Sequence, residues 1–142
     1  MAPHEPALKV RTIDHVTLVV KDLQKSGDFY VGVLGMEPME RPGFSFAGSW
    51  FQAGTTQIHL ILEHPESGPA GIDIPRHLLG MSRTHHFAFE VEDTQVATEY
   101  LRRRNAPIVS GPKERPDGAI QVFTTDPDGH VIELCSPPRG RS

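Results

Sequence analysis

His86-Phe-Ala-Phe-Glu-Val-Glu-Asp93 decides the fold of this chain, because the same design occurs earlier as His15-Val-Thr-Leu-Val-Val-Lys-Asp22. In each stretch a histidine leads an alternating apolar strand, and an aspartate seven residues on stands where a helix would start. The offset is 86 − 15 = 71 at the histidines and 93 − 22 = 71 at the aspartates. It carries into the helices, where Phe29 matches Tyr100 and Leu34-Gly35-Met36 matches Asn105-Ala106-Pro107. A 142-residue chain with a 71-residue offset reads as two copies of one unit.

Outward from these stretches, the first copy reads as a strand over 13–20 and a helix over about 24–34, capped by Asp22 and closed by Gly35. Strands over 36–40 and 45–52 flank the Arg41-Pro42-Gly43 turn, and Gly54-Thr55 turns into a strand over 56–62. The second copy repeats the order: strand 84–91, helix 94–104, and a short strand near 107–110. A loop then carries Lys113 and Arg115. Strands 119–125 and 130–135 follow, joined by the tight-turn sequence Asp126-Pro-Asp-Gly129. Residues 64–83 are rich in Pro and Gly and connect the copies, with a short helical turn around 76–79. The expected class is therefore α+β, with two βαβββ modules over 11–63 and 84–136 forming one domain, 11–136. One helix covers only one face of a four-stranded mixed sheet. Two modules, from one chain or from two, would close their open concave faces around a shared cleft.

Composition narrows the function. At 37% hydrophobic and 23% charged residues the chain is ordinary for a soluble globular protein. No apolar run approaches the ~18 residues of a membrane span. The first residues lack a basic and apolar signal pattern, so a cytoplasmic protein is expected. Cys135, the only cysteine, cannot form an intrachain disulfide, which agrees with a reducing compartment. Net charge is 14 − 18 = −4, and the one basic run, Arg102-Arg103-Arg104, falls at a helix C-terminus that favours cations. Neither nucleic acid nor a membrane is the expected partner.

Four titratable side chains occupy matching places. His15 and His86 open the first strand of each copy, while His59 and Glu133 lie in the last. Here the offset is 133 − 59 = 74, so the second copy carries three extra residues in between. Ile58 and Leu60 flank His59, and Ile132 and Leu134 flank Glu133, so a two-residue period turns the polar group away from the apolar face. The apolar face should pack under the module's helix and the polar face should line the cleft. Three imidazoles and a carboxylate converging there suit a divalent transition metal. The alternative is a set of unmetallated polar residues, since the chain has 8 histidines and a lone strand histidine is more often structural. His4, His64 and His77 fall in tail and connection and His130 in a turn. His85 competes with His86, but alternation places them on opposite faces and the 71-residue match selects His86.

Weaker cleft candidates surround these. Phe44, Phe46, Trp50 and Phe51 form an aromatic group on the third strand and the loop before it, as suited to a core as to a substrate wall. Arg41, Lys113 and Arg115 sit in predicted loops, where they could clamp a carboxylate or phosphate or remain solvated surface charge. Glu90 shares a strand face with His86 by parity and either supports the site or marks the strand's exposed end.

The matched copies, the two His-led strands and the Asp126-Pro-Asp-Gly-His-Val-Ile-Glu-Leu134 ending resemble the vicinal oxygen chelate superfamily over residues 11–136. That group includes glyoxalase I, methylmalonyl-CoA epimerase, fosfomycin-resistance enzymes, extradiol dioxygenases and bleomycin-binding proteins. The resemblance implies paired βαβββ modules around one divalent metal (Zn, Ni, Co, Mn or Fe) that chelates two adjacent oxygens of a small substrate. His15, His59, His86 and Glu133 fall on the family's ligand positions. The chain departs from the pattern at His59: glyoxalase I usually has Glu there, the epimerase Gln, and the dioxygenases use only the other three places. Glu133 then becomes the expected ligand and base. The implied activity is that of a metal-dependent lyase or isomerase of the glyoxalase type, stabilising an enediolate while a proton shifts. Fosfomycin-type addition of a thiol or water, extradiol ring cleavage, and metal-free binding of the bleomycin kind are the alternatives. The family also implies a homodimer, with the cleft within one chain or across two, and a thiol co-substrate as one option.

Overall fold

The computed structural model describes residues 8–80, 83–138 and 140. Residues 1–7, with His4, and the last part of the Pro- and Arg-containing tail lie outside them. The first module runs β1 (His15–Val20), α1 (Leu23–Gly27) continuing as a π-turn (Asp28–Val33), β2 (Glu37–Met39), β3 (Gly48–Ala53) and β4 (Thr56–Leu62). After the short helix α2 (Arg76–Leu79), the second runs β5 (Phe87–Glu90), α3 (Thr94–Arg103), β6 (Ser110–Glu114), β7 (Ile120–Thr125) and β8 (Val131–Cys135). Each module forms one four-stranded sheet, ordered β1-β4-β3-β2 and β5-β8-β7-β6. The first and last strands pair in parallel and the rest antiparallel. The chain is α+β, with two βαβββ modules.

Period-two alternation sorts the faces. Leu18, Val20, Phe51, Ile58 and Leu60 are buried on the helix side of the first sheet, and Val122, Ile132 and Leu134 on that of the second. These side chains join Tyr30 and Leu101 in one apolar cluster, so the modules share a core through their helices. Each such aliphatic or aromatic side chain contributes about 1.5–3 kcal/mol on leaving water. Polar contacts tie the same interface. The Tyr30 hydroxyl donates to Asp126 Oδ2 at 2.8 Å, and the Tyr100 hydroxyl to the Gly32 carbonyl at 3.3 Å. Asp126 also accepts from His130 Nδ1 at 2.8 Å, so this buried carboxylate organises the β7–β8 turn that meets α1.

The helices begin as expected. Asp22 accepts from Lys25 N, and Asp93 from Gln95 N and Val96 N. Their ends correct the sequence alignment. The left-handed closing residues are Gly35 (φ 71) and Asn105 (φ 56), so the offset there is 105 − 35 = 70, not 71. The first helix has one more residue to wind between cap and close, and it does so as the π-turn, with Leu34 N bonded to Phe29 O at 3.0 Å.

Two other expectations shift. The strand expected near 107–110 is instead β6, Ser110–Glu114, so Lys113 lies on a strand rather than in a loop. Gly111-Pro112 reads as a strand breaker, but β6 is an edge strand with a bulge between Ser110 and Lys113, where proline loses no ladder bond. β5 is also shorter than the 84–91 expected, leaving His86 just before its first residue.

Candidate functional site

On the open face of the first sheet, Thr17, His59 and Trp50 lie side by side in register across β1, β4 and β3. His59 is sandwiched: its ring stacks on Trp50 at 3.8 Å and 3°, and on His15 at 4.0 Å and 14°. The stack buries His59 to 8% exposure. Burial first, and then the neighbouring His15, hold its imidazole below the usual histidine range, which keeps the neutral form a metal binds. His59 Nε2 lies 2.8 Å from Gln57 Oε1, and His15 Nδ1 lies 2.8 Å from Asp14 Oδ2. With Nδ1–H donated to Asp14, His15 presents a free Nε2 lone pair, an arrangement common to metal-binding histidines. The two parallel rings do not aim their lone pairs at one point, so joint ligation requires one ring to turn.

The second sheet carries the other pair. Glu133, 4% exposed, sits between Ala88 and Phe123 in register. Its Oε1 is 3.0 Å from His86 Nε2, and its Oε2 accepts from Gln121 Nε2 at 3.1 Å. His86 Nδ1 in turn lies 2.8 Å from the Thr84 carbonyl, and the ring meets Phe123 edge-on at 5.1 Å. Both ring nitrogens of His86 therefore face oxygen acceptors, and a neutral imidazole has one N–H with which to satisfy one of them. A cation between Nε2 and Oε1 would satisfy the other. The 3.0 Å gap matches the spacing of adjacent ligands around an ion with bonds of about 2.1 Å.

The structure thus brings together His15 with His59, and His86 with Glu133. Among the described residues no three His, Cys, Asp or Glu side chains gather as a metal-binding group, so the two pairs stay apart. Of the cleft candidates, Arg41, Phe44, Phe46 and Trp50 line a cavity of about 360 Å³ together with His15 and His59. Phe51 faces the other way into the core. Lys113 Nζ stands 5.7 Å over the Phe123 ring. Arg115 Nε donates to Asp117 Oδ1 at 3.1 Å, and that ion pair holds the Asp117 carboxyl at about 2. Arg115 Nη1 also reaches Cys135 Sγ at 3.8 Å, while burial pushes the thiol up from its ordinary value.

Gln57, Gln121, Asp14 and Thr84 orient the four candidates, and sequence reasoning passed over that role. Gln57 could have been found, since it stands two residues before His59 on one strand face. Gln121 could not, because its approach to Glu133 depends on the β7–β8 register.

Paired βαβββ modules with imidazole and carboxylate groups on their open sheet faces define a class of small-molecule-binding domains and enzymes. Within that class the chain belongs to the Glyoxalase/Bleomycin resistance protein/Dioxygenase superfamily, whose profile matches residues 12–134. It is 33% identical over 131 residues to a lactoylglutathione lyase of Neisseria meningitidis, covering 89% of this chain and 91% of the relative. It is 30% identical over 131 residues to a metallothiol transferase of Staphylococcus saprophyticus, covering 88% of this chain and 76% of the relative. Among solved structures, an antibiotic-binding protein from Streptomyces superposes with a TM-score of 0.72 at 23% identity, over 92% of this chain and 99% of that one. That likeness is one of fold. No helix among the described residues is long and apolar enough to cross a membrane.

Proposed function

We propose that the protein is a divalent-metal-dependent lyase or isomerase of the glyoxalase I type, with His15, His59, His86 and Glu133 as ligands and Glu133 also as the base. The observation that carries this reading is the His86–Glu133 pair, in which an imidazole held at Nδ1 by Thr84 O turns Nε2 to a buried carboxylate 3.0 Å away. A bound divalent metal would supply Lewis acidity, polarising a substrate carbonyl next to a second oxygen and acidifying the C–H between them. The chain's own residues do the rest. Glu133 takes that proton and returns it to the neighbouring carbon while the hydroxyl proton passes from the second oxygen to the former carbonyl oxygen, so the substrate isomerises without an oxidant or reductant. Gln121, bonded to Oε2, steadies the carboxylate during the transfer. His15 and His86 keep their outward tautomers through Asp14 and the Thr84 carbonyl.

Because each module holds one pair, a second copy of the chain completes the site, its His86 and Glu133 meeting this copy's His15 and His59. A homodimer then has two equivalent clefts. Thiol addition is the second reading, favoured by the likeness to a metallothiol transferase. It is separated by whether a free thiol is consumed or the substrate is only rearranged.

The test is metal content by plasma mass spectrometry on protein prepared without added metal or chelator. We expect about one transition metal per chain, lost in both His86→Ala and Glu133→Ala. Protein that carries no metal and takes up none of Zn, Ni, Co, Mn or Fe on titration would overturn the reading and leave a metal-free binding protein.

A further inference from the structure

Arg41 is anchored but not neutralised. Its Nη2 donates to the Phe46 carbonyl at 2.9 Å, and its guanidinium carbon lies 4.8 Å from the Phe44 ring centre and 4.9 Å from that of Phe46. Gly48 lies beside it, where a Cβ would come 2.3 Å from the Leu60 carbonyl oxygen and 2.9 Å from Arg41 Nε. Among the described residues no carboxylate pairs with Arg41. Its Nε is buried with no acceptor among the described residues. Arg115, by contrast, is already engaged by Asp117.

The same cavity of about 360 Å³ is walled by aromatic rings: Phe44, Phe46, Trp50, His59 and His15. Its one carboxylate, Asp14, is engaged by His15 Nδ1. A fixed guanidinium fork selects a planar anion, and surrounding ring faces select a flat, polarisable body.

We infer that this cavity is the specificity pocket for a small aromatic carboxylate, whose acid group meets Arg41 and whose ring lies among Phe44, Phe46 and Trp50. The inference rests on the proposed site in one respect: His15 and His59 border both, so the ring and acid belong to the substrate that Glu133 deprotonates. The pocket does not depend on metal for binding.

Trp50 is the only tryptophan in the chain, so its emission reports on the pocket directly. The test titrates 2-naphthoate, neutral 2-naphthamide and cyclohexanecarboxylate into the full chain, with calorimetry as a second readout. Saturable naphthoate binding is expected, with both comparison compounds weaker by about tenfold or more, since each lacks either the charge or the ring. Arg41→Gln should bring naphthoate down to the naphthamide level while leaving naphthamide unchanged. Exhaustive chelation, which removes the proposed metal without altering the chain, should leave naphthoate binding intact. Metal failure and pocket failure are therefore separate results. Equal affinity for naphthoate and naphthamide in the unmodified protein would overturn the inference without any variant. So would an undiminished response in a folded Arg41→Gln protein, or loss of binding on chelation, which would place the acid group on the metal.

Discussion

Tyr30 shows how much one side chain carries in this molecule. It is fully buried, its hydroxyl crosses between the modules to Asp126, and burial followed by the Asp126 charge pushes its pKa well above the ordinary value. The folded pKa lies above the unfolded one. The stabilisation is therefore complete below the unfolded value near 10 and is lost as pH rises past it. The chain has two tyrosines, which makes the consequence visible in phenolate absorbance. In a Tyr100→Phe protein, where Tyr30 is the one phenol left, the phenolate signal should appear only together with the loss of ordered structure by circular dichroism. A phenolate forming near pH 10 in that protein while it is still folded would contradict this. Tyr30→Phe strips one donor from buried Asp126 and should lower stability by about 1–3 kcal/mol in urea unfolding. His130 was legible as a turn residue, but its bond to Asp126 was not, because nothing in the spacing marks a carboxylate as buried.

Among the elements, the two helices share a plan and differ by one residue. Asp93 accepts two backbone N–H groups where Asp22 accepts one. Asp93→Ala should therefore cost toward 2 kcal/mol, and Asp22→Ala about 0.5–1, in urea unfolding. A reversed order would show that the caps are not what sets the starts. At the other end Asn105 holds φ 56, a left-handed conformation that asparagine tolerates and alanine resists. Asn105→Ala should cost about 1 kcal/mol and Asn105→Gly little or nothing. The 71-residue offset was legible through both strands and caps. It slips to 70 at the helix ends because a π-turn absorbs a residue without changing the apolar pattern. β6 was misplaced for a related reason: Gly111-Pro112 breaks a central strand but not a bulged edge.

At the scale of the whole molecule, the prediction concerns which chain supplies which half of the site. The pairs His15/His59 and His86/Glu133 lie on separate sheets whose helix sides share one core, and on the proposed reading a second copy covers their open faces. His15→Ala and His86→Ala dimers should each lack metal. Mixed and allowed to exchange freely, they form mixed dimers with one intact cleft, because the two lesions fall together in the other. About half the dimers are then mixed, and metal uptake and turnover should return to about a quarter of the unmodified level. Light scattering should report a dimer throughout. No recovery despite demonstrated subunit exchange would mean that each cleft is built within one chain.

The sequence by itself determined the modules, the face to which each polar group turns, and the four candidate ligands. Strand alternation is a local property of the backbone, and a repeated unit shows the same residues twice. Only the tertiary structure decided that His59 is stacked between Trp50 and His15, that Gln121 bonds to Glu133, and that Arg41 packs on Phe44 and Phe46 with no carboxylate partner among the described residues. It also kept the two candidate pairs apart among the described residues. These facts depend on strand register and on how sheets pack across a shared core, and long-range distances of that kind leave no period in a linear sequence.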